Sequence, residues 1–181
     1  MMRTQLASPC QASAPPVPVD VVAGSWKAVE IRPARPDDEE RVRRFLGGLS
    51  SWTQARRFFT GVSRPGAGFV RALLAVDERC DALLAVRGDL VVGHAMSHRS
   101  QGEATDIEIA VVVGDEWQGV GLGSRLVRAL MRRAAARGAG TVGMDVLGDN
   151  RTVLAMIRKM WPEATMRASC GTVEVTARIL R

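Results

Sequence analysis

The sequence predicts an α/β protein, α+β in layout: one mixed sheet with helices on its faces. Three observations carry this. Short apolar segments bounded by turn residues alternate with longer segments of helical period. A glycine-rich stretch, "DEWQGVGLG" (Asp115 to Gly123), joins an apolar strand to an amphipathic helix. Neither an internal repeat nor a second domain interrupts the order β-α-α-β-β-β-α-β-α-β-β.

The first two dozen residues are rich in Pro, Ala and Ser and have no period, so residues 1–26 are expected to be a disordered tail. The single domain then covers 27–181. "KAVEIRP" (Lys27 to Pro33) alternates as a strand. "RPDDEERVRRFLGGLS" starts with Pro and acidic residues, as a helix does, and stops at Gly47-Gly48. "SSWTQARRFFTGV" reads as a second helix and "GFVRALLAVD" as a short third.

"DALLAV" and "LVVGHAMSHR" are strands joined by a tight turn at Arg87-Gly88-Asp89, and "DIEIAVVV" (Asp106 to Val113) is another. In "GLGSRLVRALMRRAAARG", Leu122, Leu126, Val127, Leu130, Met131 and Ala134 make one buried face, with arginines opposite and Gly138 as the stop. A solvated basic face is the expectation for those arginines. The strand "TVGMDVL", the helix "NRTVLAMIRKM" and two short strands, "EATMRAS" and "TVEVTARIL", complete the chain.

Composition narrows the partners. The chain has 181 residues, 46% hydrophobic and 24% charged, with no apolar run near the roughly 18–20 residues that span a bilayer. Basic residues outnumber acidic ones 25 to 19, and only Lys27 and Lys159 are lysines. Arginine suits phosphate and carboxylate partners. Nucleic acid is argued against, because no aromatic residues interleave with the arginines. Cys10, Cys80 and Cys170 have no metal-ligand spacing and read as free thiols of a reducing, cytoplasmic compartment. "LASPC" has a lipoprotein-like look but lacks the apolar stretch that should precede it. His94 and His98 share a strand face without a third ligand, so no metal is expected.

Glycines at alternate positions of the Asp115–Gly123 loop leave bare amides ahead of a helix, which prepares an anion site. A dinucleotide fingerprint fails at its third glycine: Gly119 and Gly121 are followed by Ser124, and Gly121 and Gly123 by Leu126. A Walker loop fails for want of a lysine. What remains is Gln118-x-x-Gly121-x-Gly123, after an apolar strand and opening a helix. This pattern resembles the acetyl-CoA loop of the GNAT superfamily of N-acetyltransferases, Q/R-x-x-G-x-G/A. The resemblance spans roughly Val29 to Leu180. "LSSWTQARRFF" (Leu49 to Phe59) and "IEIAVVVGDEWQGVGLG" (Ile107 to Gly123) are further similar to the bacterial protein-lysine acetyltransferase branch, including Glu108, ten residues before Gln118.

The resemblance implies a mostly antiparallel sheet whose strand before the loop is bulged and splays from its neighbour. It implies acetyl-CoA as cosubstrate, with its pyrophosphate on the amides of Gly119, Val120, Gly121, Leu122, Gly123 and Ser124, its pantetheine arm along Val111, Val112 and Val113, and Gln118 as a further cofactor-binding residue. Packing of the valines and a plain strand-to-helix turn are the bland alternatives. Glu108 stands as the base that neutralises the acceptor ammonium, against a merely solvated glutamate, and Asp145 is the second candidate. Asn150 matches a cofactor contact and equally a helix cap. The tyrosine that many members use on the leaving thiolate is absent: the chain has none, and Ile157 takes its place. A thiol of ordinary acidity can leave unaided or with water. Acetyl transfer to a protein lysine is the expected activity. A small-molecule amine acceptor, or a silent acyl-CoA-binding module, is the alternative.

Overall fold

Among the described residues, seven strands and five α-helices form where the alternation and the helical period place them. The computed structural model describes residues 28–59, 66–100 and 105–179. The expected tail, residues 1–26, lies outside them, as do Lys27, the expected end of the second helix beyond residue 59, and Leu180. The elements are β1 (Glu30–Pro33), α1 (Glu39–Gly48), α2 (Ser51–Phe58), α3 (Ala67–Leu73), β2 (Cys80–Arg87), β3 (Leu90–Arg99), β4 (Ile107–Val113), α4 (Leu122–Ala136), β5 (Thr141–Leu147), α5 (Arg151–Met160), β6 (Thr165–Ser169) and β7 (Thr172–Arg178). Short 3-10 turns at Pro36–Asp38 and Asp115–Trp117 precede α1 and the glycine loop.

Local chemistry sets the bounds. Ser50 caps α2 by accepting the Thr53 amide at 3.2 Å, and Phe59, at φ 58, ends it in the left-handed region. Gly138, at φ 87, closes α4, and the Ala139 amide returns to the Ala134 carbonyl. Cys170 (φ 47) and Gly171 (φ 84) form the two-residue turn between β6 and β7, so the Cys170 thiol sits exposed at a hairpin tip.

The sheet runs β1-β2-β3-β4-β5-β7-β6. Every neighbouring pair is antiparallel except β4 and β5. One face carries α4 and α5. There Leu122, Leu126, Val127 and Leu130 of α4 and Leu154 and Ile157 of α5 pack on Leu83, Ala95, Ile107, Val142 and Val175. Full burial of such side chains stabilises by about 1.5–3 kcal/mol each. The opposite face carries α1 and α3, whose Val42, Phe45, Leu46, Val70 and Leu73 pack on Ala82, Leu84, Val91 and Val112.

The bulge expected in the strand before the loop is not in β4. Pairing of β4 with β3 is regular from Ile107↔Arg99 to Val113↔Gly93, and side chains alternate strictly: Ile107, Ile109, Val111 and Val113 face the first core, Val112 the second. The irregularity lies one pair away. Between β2 and β3 the register moves from Ala85↔Gly93 to Val86↔Val91, leaving Val92 as the extra residue. Val92 packs in the α4 core, and the Cβ position of Gly93 points there too, 2.9 Å from Leu126 Cδ1. A two-residue repeat cannot put neighbours on one face, so the bulge accounts for both.

The splay is present. β4 and β5 pair only at Ile107↔Val142 and Glu108↔Gly143, and from Ile109 onward β4 has no strand partner on that side. Asp106 pins the closed end. Its Oδ2 accepts from the amides of Gly140 (2.8 Å) and Thr141 (2.9 Å) and from the Thr141 hydroxyl (3.0 Å), while its own amide donates to Thr141 Oγ1 at 2.9 Å. Those bonds hold the Asp106 carboxyl below the usual range.

Candidate active site

The glycine loop lies at the open end of the splay. Gly119 (φ 75) and Gly121 (φ 85) are both left-handed, and a Cβ at either would meet nothing within 4 Å. Glycine is needed there for conformation, and the space beside the backbone stays clear. Gly121 is the cap residue of α4 and no side chain caps the helix. The α4 ladder starts with Arg125 N–H to Gly121 O at 3.1 Å. The amides of Leu122, Gly123 and Ser124 precede that bond, have no intrahelical acceptor and point out at the positive end of a fifteen-residue helix. The chemistry of this arrangement suits an anion such as a pyrophosphate.

α2 secures the loop in a way the sequence did not reveal. Asp115 Oδ2 accepts the Ser50 amide at 2.9 Å, and Oδ1 accepts the hydroxyls of Ser50 and Thr53, each at 2.6 Å. Gln118 Nε2 donates to Thr53 Oγ1 (3.1 Å) and to Val113 O (3.0 Å). The Gln118 side chain thus holds the turn between β4 and the loop. Burial works to raise the Asp115 pKa, and the hydrogen bonds from Ser50 and Thr53 outweigh it, leaving the carboxyl below its ordinary value. Further along α2, Arg56 reaches Asp149, in the loop after β5, at 3.3 Å and stacks 4.0 Å over Trp52. α2 therefore bridges the loops that follow both splayed strands.

Glu108 stands on β4 beside the last β4–β5 pair, half exposed. Its Oε1 accepts the Ser100 hydroxyl at 3.2 Å, and Oε2 lies 3.4 Å from His98 Nε2. Its neighbour on β5 is Gly143, over which the Thr105 side chain packs. Asp145, the second candidate, is exposed on β5 opposite Glu174; burial first, then the charges of Glu174 and Glu108, raise its pKa. Both carboxylates lie on the sheet face away from α4. Val112 is buried in the second core, and Val111 and Val113 are half-buried against the first, leaving their backbone edge beside the splay.

Asn150 caps α5: its Oδ1 accepts the Val153 amide at 3.4 Å. Ile157 is fully buried in the α4–α5 core, so the position where many members place a tyrosine is here a packing position. His94 and His98 do share a face, but His94 is buried and bonded through Nε2 to the Leu73 carbonyl at 2.7 Å, while His98 is open and pairs with Glu108. The arginine face of α4 is less solvated than expected: Arg133 makes a bidentate pair with buried Asp81 (2.7 and 3.0 Å), Arg125 donates to Val29 O, and Arg137 to Asp77 O and Cys80 O. None of the described helices is long and apolar enough to cross a membrane.

A sheet splayed beside an uncapped, glycine-led helix is the layout that the resemblance to the GNAT superfamily implies. The acetyltransferase (GNAT) family model matches residues 49–160, and the chain belongs to that family. It is 34% identical over 166 residues to acetyltransferase Pat of Mycolicibacterium smegmatis, a match covering 88% of this chain and 49% of Pat, so the chain spans about half of that relative's length. Its fold superimposes on the GNAT domain of S. lividans PAT with a TM-score of 0.75 at 24% identity, over 83% of this chain and 90% of that one. It also matches yncA of Salmonella typhimurium, solved with acetyl-CoA, at TM-score 0.63 and 16% identity, over 84% of this chain and 95% of that one.

Proposed function

We propose that this protein is an acetyl-CoA-dependent N-acetyltransferase that acts by direct transfer to the side-chain amine of a protein lysine. The observation that carries the reading is the junction of three features within one loop and two strands. These are the uncapped amides of Leu122, Gly123 and Ser124 behind the left-handed Gly119 and Gly121, the unpaired edge of β4 from Ile109 to Val113, and Glu108 at the point where the strands part. The similarity of Leu49 to Phe59 and of Ile107 to Gly123 to the bacterial protein-lysine acetyltransferase branch favours a protein acceptor.

Acetyl-CoA supplies the reactive thioester. The chain's own groups do the rest. The amides of Gly119, Val120, Gly121, Leu122, Gly123 and Ser124 neutralise the pyrophosphate, and Gln118 keeps the loop in register with Val113. The backbone of Val111, Val112 and Val113 offers strand-like pairing to the pantetheine amides. Glu108 removes a proton from the acceptor ammonium so that a neutral amine can attack. Asn150 shapes the start of α5 at the cleft's far wall. With Ile157 in the core, the thiolate departs without a tyrosine, taking its proton from water.

Calorimetric titration of acetyl-CoA into the wild type and Gly121→Glu tests the site: affinity drops at least tenfold in the variant, with the fold retained by circular dichroism. Thiol release is then followed with folded lysine-bearing proteins, a lysine peptide and spermidine as acceptors. Saturable release with a folded protein supports the reading. Release only with spermidine replaces it by small-amine transfer. Tight binding with no release for any amine leaves a silent acyl-CoA-binding module.

A further inference from the structure

Glu108 has a partner that the transfer reaction gives no role. His98 and Glu108 are directly opposite one another on β3 and β4 and face the side of the sheet away from α4. Nε2 of His98 lies 3.4 Å from Oε2 of Glu108, and both side chains are about half exposed, at 50% and 51%. The other oxygen, Oε1, is held by the Ser100 hydroxyl at 3.2 Å. Its β5 neighbour is Gly143, over which the Thr105 side chain lies, with Oγ1 3.1 Å and Cγ2 3.2 Å from where a Cβ would stand, while the approach from β3 is filled by imidazole. The other charged groups on this face among the described residues include Asp145 and Glu174, both acidic, and Arg167, directly opposite Glu174 on β6.

A carboxylate alone is a poor terminus for a proton taken from an alkylammonium, because the two ordinary acidities differ by about six pH units; an ordinary imidazole closes about two of them. We propose that His98 is a positioning and proton-passing residue that works through Glu108. This inference rests on Glu108 being the base. The N–H bond of the acceptor ammonium breaks and its proton goes to Glu108. Glu108 hands it to Nε2 of His98, and the Nδ1 proton of the imidazole leaves to water across the exposed side of the ring. Glu108 is then ionised again, no group is oxidised or reduced, and one proton has passed to solvent. Ser100 keeps the carboxylate plane fixed while this happens.

The test uses the whole chain and the best acceptor found among the lysine peptide, folded proteins and spermidine. kcat and KM are measured for the wild type, His98→Gln and His98→Ala, the last with and without added imidazole. The expected result is a kcat at least tenfold lower in both variants, a KM for acetyl-CoA within twofold of wild type, and recovery of much of the lost kcat in His98→Ala when imidazole is added. His98→Gln keeps a side chain of similar reach but cannot carry a proton, so full activity in that variant overturns the proposal. So does a loss in His98→Ala that imidazole leaves untouched. If the wild type releases no thiol with any of these amines, the transferase reading fails first and the relay falls with it. That outcome is distinct from an active enzyme indifferent to His98.

Discussion

The Thr53 hydroxyl donates to Asp115 Oδ1 at 2.6 Å and accepts from Gln118 Nε2 at 3.1 Å, so one side chain of α2 ties together both ends of the turn that introduces the glycine loop. Both partners are more than sixty positions away in sequence. α2 and the loop proposed for the pyrophosphate are therefore parts of one hydrogen-bonded unit.

Thr53→Val keeps the shape and removes both bonds. Each polar group left short of a partner costs about 1–3 kcal/mol. Denaturant unfolding should show a loss in that range. Acetyl-CoA affinity measured by calorimetry should fall about tenfold, equivalent to ~1.4 kcal/mol. Unchanged affinity with reduced stability would mean that the loop keeps its shape without α2.

Gly93→Ala probes the β3 bulge. The new methyl would sit 2.9 Å from Leu126 Cδ1 and 3.4 Å from the Ala85 Cβ, in a fully packed core. Overpacking of this kind costs about 1–3 kcal/mol. Leu126→Ala alone leaves a cavity worth about 2–5 kcal/mol. Combined, the two should destabilise by less than their sum, because each relieves the other. Strict additivity in chemical unfolding would argue against direct contact.

His94 makes stability depend on mildly acidic pH. Burial, the largest influence, and the charge of Arg57 lower its pKa to about 4 against the hydrogen bond to Leu73, which raises it. The ordinary value of about 6.5 holds in the unfolded chain. The unfolded state binds the proton first as pH drops, so the contribution of neutral His94 is complete above about 6.5 and declines towards the native value near 4. The decline amounts to something on the order of 3 kcal/mol. Unfolding free energies at several pH values between 7 and 4 should show this slope in the wild type and lose it in His94→Gln.

A second acid transition lies lower. Asp38 accepts a bidentate pair from Arg32 at 2.6 and 2.7 Å and the Arg35 amide at 3.0 Å; the Arg32 hydrogen bonds, outweighing burial, depress its pKa. Its contribution is present above the ordinary carboxylate value of about 3.9 and is lost as pH falls through the lower native one. Asp38→Asn should destabilise by about 3 kcal/mol at neutral pH and flatten the stability curve below pH 4. An unaltered acid limb would assign that limb to other carboxylates.

Much of this architecture was legible because each segment states its own period. β5 could be read to the residue, Thr141 to Leu147, since glycines bracket it and its alternation is unbroken. The buried face of α4 was read in full. The bulge was expected in β4 from the resemblance alone, and the one in β3 left no mark in the sequence because Val91 and Val92 are both apolar, a pair that gives no sign of which face either takes. α2 ended sooner than its composition suggested, since Phe59 adopts a left-handed conformation for which aromatic residues give no warning. At the site, the glycine pattern and Glu108 stood out by type and spacing. Ser50, Thr53, Arg56 and His98 did not. Their importance arises from tertiary register: Ser50 reads alone as a helix cap, and His98 meets Glu108 only once the β3–β4 hairpin is paired.

Between β4 and β5 the sheet is stitched by two residue pairs and then runs open, which leaves two strand edges inside the protein rather than at its rim. Mechanically, β1–β4 and β5–β7 are two plates on a short hinge, with Asp106 as the pin and the Arg56–Asp149 pair as a strut across the gap. Anything that lays peptide-like groups along the gap adds rungs where the chain provides none. Ligand-free protein should thus exchange the amide hydrogens of these inner edges as readily as those of an outer strand, and become a single stiff plate only when the gap is filled.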